Sequence, residues 1–346
     1  MSFNSDGLSH YKKEDIMVTI KQVSALSGVS KSTVSRVIAH NGAVSKKSRK
    51  KVDAAILELG YRPNSFARSL KSNKSNIVGI VVVNMGSAFY AEVLGGIQKA
   101  FDGSDKHLMV SSGYGDKETE FETISSLIDR QCDGLLLFLE SDFSRDEIHK
   151  LCNRDIPIVL MGRDGIPYGY NSVQVDNKTG GTVAIMSLIE AGRRKIVHLA
   201  GPQNLADARD RLDSFWQAIE QSDINKSHCC VIVGPYTEAF GYQSTKALLA
   251  EGVDFDAICA GDDEIAAGVY MALREAGKKI PEDIAVIGYD DNFHARHMYP
   301  PLTSVCQPIE TLGLQAGKML VTMMQGEQSA NINMVLGATL VERESI

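Results

Sequence analysis

From residue 77 onward, short apolar runs alternate with longer stretches in which apolar positions recur every three or four residues. The runs Ile77–Val83, His107–Ser111, Gly134–Leu139, Ile156–Met161, Ser172–Val175, Ile196–Leu199, Cys230–Val233, Ala257–Ala260 and Ile284–Ile287 read as strands. The stretches Phe89–Asp102, Lys117–Arg130, Arg145–Asn153, Asn177–Ala191, Ala206–Gln221, Ala239–Glu251, Asp263–Ala276 and Glu310–Met324 read as helices. Alternation of this kind implies parallel, doubly wound sheets with right-handed crossovers. Roughly 270 residues and nine strands suit two such sheets better than one. A ligand would then sit between them, beyond the carboxyl ends of the strands.

The first sixty residues follow a different pattern. Thr19 can cap a helix beginning at Ile20, whose Ile20, Val23 and Leu26 make an apolar stripe. Gly28 stops it by supplying a positive φ. Ser30 caps a second helix, Lys31–Ala39, with Val34, Val37 and Ile38 inward. A third runs from Ser45 or Lys46 to Leu59, with Val52, Ile56 and Leu59 inward and a Lys/Arg cluster outward. Two short helices joined by a glycine-containing turn make a helix-turn-helix. The second helix presents Lys31, Ser32, Thr33, Ser35 and Arg36 outward, short hydroxyls and long cations rather than the Glu/Lys mixture of an ordinary solvated face. Side chains of that type, at the start of such a helix, read base edges in the major groove. Lys46, Lys47, Arg49, Lys50 and Lys51 would hold phosphates, which position a protein without specifying sequence. The bland alternative is a small helical bundle with a basic surface.

Charge changes the picture. The 346-residue chain has 36 basic and 43 acidic side chains, a net −7 that argues against nucleic acid. Yet residues 16–75 hold twelve Lys/Arg against only Asp53 and Glu58, a net +10. Residues 1–15 carry −1, which leaves −16 for residues 76–346. A basic head on an acidic body restores the nucleic-acid reading. No apolar run approaches the length of a membrane span. The polar start shows no secretory signal, and six cysteines without C-x-x-C spacing fit a reduced, cytosolic protein outside membranes. Between head and body, Asn64–Ser72 (NSFARSLKS) has an Asn cap and room for about two helical turns, too short to be stable alone.

The stretch Val18–Arg36 (VTIKQVSALSGVSKSTVSR), with Gly60-Tyr61-Arg62-Pro63-Asn64, resembles the start of the LacI/GalR family of bacterial transcription repressors. Later stretches fit the same resemblance. They are Asp207–Phe215 (DARDRLDSF, with Ser214 where glycine is usual), Gly261–Gly268 (GDDEIAAG, with Asp262 in an asparagine place), Ile280–Asp291, Pro301–Val305 and Leu340–Ser345. The resemblance implies a small all-α helix-turn-helix head on an α/β body of two doubly wound, parallel-sheet lobes, similar to periplasmic sugar-binding proteins. It implies operator base contacts from Lys31, Ser32 and Arg36. It also implies a hinge helix, matched by Ala67 to Leu70, that pairs in a homodimer and wedges Leu70 into the minor groove. Thr19 and Asn64, the caps of the first helix and the hinge, join this DNA-facing set. In the body it implies effector contacts from Arg211, Asp262 and Asp290, with Tyr236 as a ring-stacking aromatic. Phe89, Asn84, Ser87 and Arg163 follow strand ends in the first lobe and are further candidates. Each polar candidate has a plainer reading. Arg211 could pair with Asp207 on its own helix, and Asp262 could merely cap the helix that follows.

The division expected is a flexible extension at 1–16, a DNA-binding domain at 17–63, a hinge and linker at 64–75, and an effector-binding and dimerisation domain at 76–345. The partners expected are double-stranded operator DNA, a sugar or sugar-derived effector and a second copy of the chain, with no cofactor and no metal. The absence of phosphate-loop, Rossmann, H-E-x-x-H and G-x-S-x-G motifs opposes an enzyme. Two other readings stand further off. The basic head opposes a sugar-binding transport receptor, and the missing glycine-rich loop opposes a dinucleotide-dependent enzyme.

Overall fold

The computed structural model describes residues 18–39, 42–61, 74–151, 156–326 and 331–346. The chain forms two compact units, Met1–Ser75 and Asn76–Ile346.

The first unit packs α1 (Ile20–Ser27), α2 (Lys31–Ile38) and α3 (Lys46–Leu59) around Val23, Val34, Val37, Val52 and Ala55. The caps form where the sequence places them. The Thr19 N–H donates to Gln22 Oε1 (2.7 Å), and Ser45 Oγ accepts from the Ser48 N–H (3.1 Å). Gly28 ends α1 with φ 64°, in the left-handed region. The stripe on α1 differs from expectation, because Leu26 is 46% exposed. Steps of three residues drift about 60° around a helix each time, so the third member leaves the face. Ser27, four after Val23, takes the buried place and donates its hydroxyl to the Val23 carbonyl (2.7 Å). The expected hinge helix, with Asn64, Ala67 and Leu70, lies outside the described residues.

The second unit holds two six-stranded sheets. The first has the order β11-β5-β4-β3-β1-β2, with β1 Ile77–Val82, β2 His107–Ser112, β3 Gly134–Phe138, β4 Ile158–Met161, β5 Asn171–Val175 and β11 Asn333–Leu336. The second has the order β12-β10-β9-β8-β6-β7, with β6 Ile196–Ala200, β7 Cys230–Val233, β8 Ala257–Ala260, β9 Ala285–Asp290, β10 Thr303–Cys306 and β12 Thr339–Val341. All nine expected strands are present. Every pairing is parallel except β10 with β12.

The central strands β1, β3, β4 and β8 read as continuous apolar runs because each sheet is covered on both faces there. Leu136, Val159 and Met161 enter one core of the first lobe, while Leu135, Leu137, Ile158 and Leu160 enter the opposite one. β10 escaped the sequence reading because its Thr303 and Ser304 are polar yet fully buried. Their burial is tolerated because the Ser304 hydroxyl donates to Asp263 Oδ1 (2.7 Å) and the Thr303 N–H to Ser345 Oγ (2.8 Å). Phe215 is fully buried and stacks on His198, as core; Trp216 and the Cys229–Cys230 pair are only half-buried. Burial pushes the His198 imidazole down to about 4. A short helix at Phe293–His297, also absent from the sequence reading, follows β9.

Helices α4 (Ala88–Phe101), α5 (Lys117–Asp129) and α6 (Arg145–Leu151) belong to the first lobe. Helices α7 (Asn177–Glu190), α8 (Ala206–Gln221), α9 (Glu238–Ala250) and α10 (Asp263–Glu275) belong to the second. The chain then returns to the first lobe, where helix Ile309–Met324 packs along α4. The lobes are thus joined three times, after β5, β10 and β11.

Gly96 and Gly313 set the closeness of that helix pair. A Cβ at Gly96 would run into the Glu310 carbonyl oxygen, and one at Gly313 into that of Val93. Gly95 has nothing within 4 Å of where its Cβ would lie. Gly96→Ala should therefore cost about 2–3 kcal/mol by overpacking and lower the melting temperature of the body by roughly 5–10 °C. Gly95→Ala should leave it unchanged or slightly raised. Equal thermal melts for the two variants would refute this account.

Candidate functional site

In an open parallel sheet, the loops beyond the strand carboxyl ends diverge where the strand order reverses, and leave a crevice there. Both sheets have that reversal, at β1/β3 and at β6/β8. The two crevices face each other and enclose a cavity of about 240 Å³. The β1 end contributes Val83 and Asn84, the β3 end Leu139 and Glu140, the β8 end Asp262, and the β9 end Asp290. Asn177 and Gln307 line it where the chain crosses between lobes.

Arg211 is the centre of the second-lobe wall. It lies on α8 and is only 6% exposed. Its Nε donates to Asn177 Oδ1 (3.1 Å) and its Nη1 to the Gly261 carbonyl (2.7 Å). Nη2 lies 3.5 Å from Asp207 and 3.9 Å from Asp290. The guanidinium also lies 3.7 Å over the Tyr289 ring. Burial works against its charge, but Tyr236, Asp207, Tyr289 and Asp290 outweigh that and hold its pKa above the ordinary value.

The carboxylates respond in the opposite direction. Burial pushes Asp290 up, against the pull of Arg211 and of the hydrogen bond from Gln307 Nε2 (2.5 Å). Its φ of 106° is a strained conformation for a residue other than glycine, held by these contacts. Burial, then the nearby Asp290, pushes Asp262 up. Asp262 also caps α10 by accepting from the Ile265 N–H (2.7 Å), so its capping and cavity-lining readings hold together. The same is true of the Arg211–Asp207 pair. Tyr236 donates its hydroxyl to Asp207 (3.1 Å) and packs against Gly201, where a Cβ would collide with its ring.

The sequence candidates Phe89, Asn84, Ser87, Arg163, Arg211, Tyr236, Asp262 and Asp290 all line this one cavity. Phe89 meets Tyr90 and Phe138 edge-on, at 5.1 and 5.7 Å. Arg163 is turned onto backbone, donating to the Leu139 (2.5 Å) and Ser141 (3.0 Å) carbonyls. Sequence reasoning missed Glu140, Asn177 and Gln307. A charged residue directly after the apolar run Leu135–Leu139 was the available signal for Glu140; Gln307 had none, because β10 was not legible. Burial, then Asp207 and Glu120, pushes Glu140 up to about 7.

In the first unit, Lys31, Ser32 and Arg36 are exposed along α2. Lys46, Lys47, Lys50 and Lys51 are exposed on α3. Arg36 Nε rests on the Ser32 carbonyl (3.3 Å). Thr33 and Ser35 are half-buried, and the Thr33 hydroxyl lies 3.0 Å from Ser30 Oγ. Among the described residues no helix is long and apolar enough to cross a membrane.

Residues 19–64 match the family described as bacterial regulatory proteins, lacI family. Residues 185–346 match a periplasmic binding protein-like domain. The chain is 35% identical to the HTH-type transcriptional regulator CelR of Thermobifida fusca, over 94% of this chain and 98% of that one. Its fold is similar to a lac repressor dimer bound to operator and the anti-inducer ONPF, with a TM-score of 0.84 and 27% identity, covering 95% of this chain and 98% of that one. It is also similar to a CelR–cellobiose complex, with a TM-score of 0.70 and 32% identity, covering 95% and 99%.

Glu140 ties the cavity to pH. It keeps its proton to about 7 when folded, against 4.5 as its ordinary value. Between those values the folded chain binds the extra proton, so this group makes stability fall as pH rises. Glu140→Gln removes that loss. The variant should therefore gain on the wild type in thermal melts between about pH 5 and 8; a constant gap across that range would contradict the burial of this carboxylate.

Proposed function

The chain belongs to the lacI family of bacterial regulatory proteins, and we propose that it is a repressor whose grip on operator DNA is set by a sugar bound between the two lobes of its body. It is a DNA-binding transcriptional regulator rather than an enzyme. One observation carries the reading. A helix-turn-helix head of net charge +10 and an acidic two-lobed body with a polar cavity at its strand ends occur in one chain.

The cavity chemistry suits a polyol. Carboxylates and amides accept and donate hydrogen bonds to hydroxyls, while Phe89, Phe138 and Tyr236 offer apolar ring faces. The relative solved with cellobiose supports the same class. On the DNA side, Lys31, Ser32 and Arg36 read bases and the lysines of α3 hold phosphates. A single head has a small footprint, so the protein acts as a homodimer on paired half-sites, as the lac repressor dimer on its operator supports. Asn64, Ala67 and Leu70 form the hinge, and Leu70 wedges into the minor groove and bends the site. Effector bridging the lobes favours one closure state, and by reciprocity the effector and the operator shift each other's affinity by one common factor.

Two substitutions separate the halves. Arg36→Ala should lose about ten- to hundredfold in preference for operator over random DNA while salt-sensitive non-specific binding persists. Equal losses on both DNAs, by fluorescence anisotropy, would remove it from base reading. Arg211→Ala strands Asp207 and Asp290, so it should lower the melting temperature of the body. Below that temperature it should still bind operator but show no ligand-induced change in affinity. An unaltered ligand response would exclude Arg211 from the cleft's function.

A further inference from the structure

The cavity has a charge imbalance that the sugar reading does not use. Its wall holds the carboxylates of Glu140, Asp207, Asp262, Glu264 and Asp290 but only two cations, Arg163 and Arg211. Both cations are already engaged within the protein. Arg211 is shared among Asn177, Gly261, Asp207 and Asp290. Arg163 bonds two backbone carbonyls and lies 3.8 Å from Asp142. Neither lining cation is without partners in the protein, and five carboxylates share the wall with them.

The acids are not equally engaged. Asp207 accepts from Tyr236, Asp290 from Gln307, Asp262 from the Ile265 N–H, and Glu264 from the Ser87 hydroxyl (3.3 Å). Among the described residues, the Glu140 carboxylate has no hydrogen bond or ion pair. Its backbone is nonetheless fixed. Glu120, fully buried, accepts from the Glu140 N–H (2.9 Å) and the Ser141 N–H (3.2 Å). A loop braced by Glu120 therefore carries to the cavity wall a carboxylate with no protein hydrogen bond among the described residues, the arrangement of a preorganised binding group.

We propose that Glu140 is the ligand-contacting acid of the first lobe, and that it selects a sugar bearing no negative charge: a ligand hydroxyl or ammonium donates to it, and phosphorylated sugars and sugar acids are repelled. The inference rests on the cleft being the effector site. It follows, above about pH 7 where Glu140 is ionised, from Coulomb repulsion in a partly desolvated cavity, where like charges weaken binding far more than they do in water. Glu120 acts through the loop, as a positioning residue.

The test is a thermal-shift and calorimetric screen, at pH 8, of the full-length protein against glucose, galactose, ribose, cellobiose and glucosamine, with the 6-phosphates of glucose and galactose and with glucuronate. An uncharged or amino sugar should raise the melting temperature of the wild type, and the phosphorylated and acidic sugars should not. At pH 8, where the carboxylate is ionised, Glu140→Gln should weaken the bound sugar about tenfold or more, because a hydrogen bond to a charged acceptor is lost. A phosphorylated or acidic sugar binding more tightly than its uncharged parent would overturn the proposal while leaving the effector reading standing. Unchanged affinity in a folded Glu140→Gln protein would overturn the role of Glu140. If no sugar stabilises the wild type, the effector reading fails and this inference with it. The wild-type comparison of neutral and charged sugars decides the charge rule even if the variant folds poorly.

Discussion

One buried guanidinium holds the cleft together. Arg211 is fixed from α8 by the end of β8, through the Gly261 carbonyl, and by the first crossing between lobes, through Asn177. A buried charge of this kind is tolerated only when its hydrogen bonds and countercharges are complete. Here the countercharges are Asp207 and Asp290, which themselves face the cavity. The strained backbone of Asp290, the Gln307 contact at the second crossing and the Tyr236–Asp207 bond all converge on the same network. Cavity wall and lobe junction are therefore one electrostatic unit. A ligand in the cavity would meet two of the segments that join the lobes.

The frame around that unit is apolar, with a core on each face of both sheets. Both sheets bury residues on two faces, so their strands cannot slip register without exposing a whole core. The return of the chain from β10 to the first lobe presses a helix against α4 at the Gly96–Gly313 contact. Three crossings join the lobes. Two of them carry polar residues, Asn177 and Gln307, that bond to the Arg211–Asp290 network.

Much of this was legible in the chain. The nine runs became nine strands, most plainly at β1, β3, β4 and β8, where burial on both faces selects uniformly apolar segments. The helix caps at Thr19, Ser30 and Ser45 and the left-handed Gly28 act locally, so their pattern needs no tertiary context. β10 was hidden because Ser304 is buried on a hydrogen bond to Asp263, forty-one residues away. Leu26 was misplaced because a stripe stepping by three leaves the buried face within two turns.

The sequence by itself determined the division of charge, the helix-turn-helix head, the βα alternation and the family resemblance, because each is written in local composition and spacing. Only the tertiary structure decided which polar residues share a cavity and in what state. Arg211, Asp262 and Asp290 lie on separate elements, and their proximity follows from strand order rather than from neighbours in sequence. The structure also assigned both cavity arginines to internal partners and, among the described residues, left the Glu140 carboxylate without a hydrogen bond or ion pair, because pairing and desolvation of charges are properties of distance and burial.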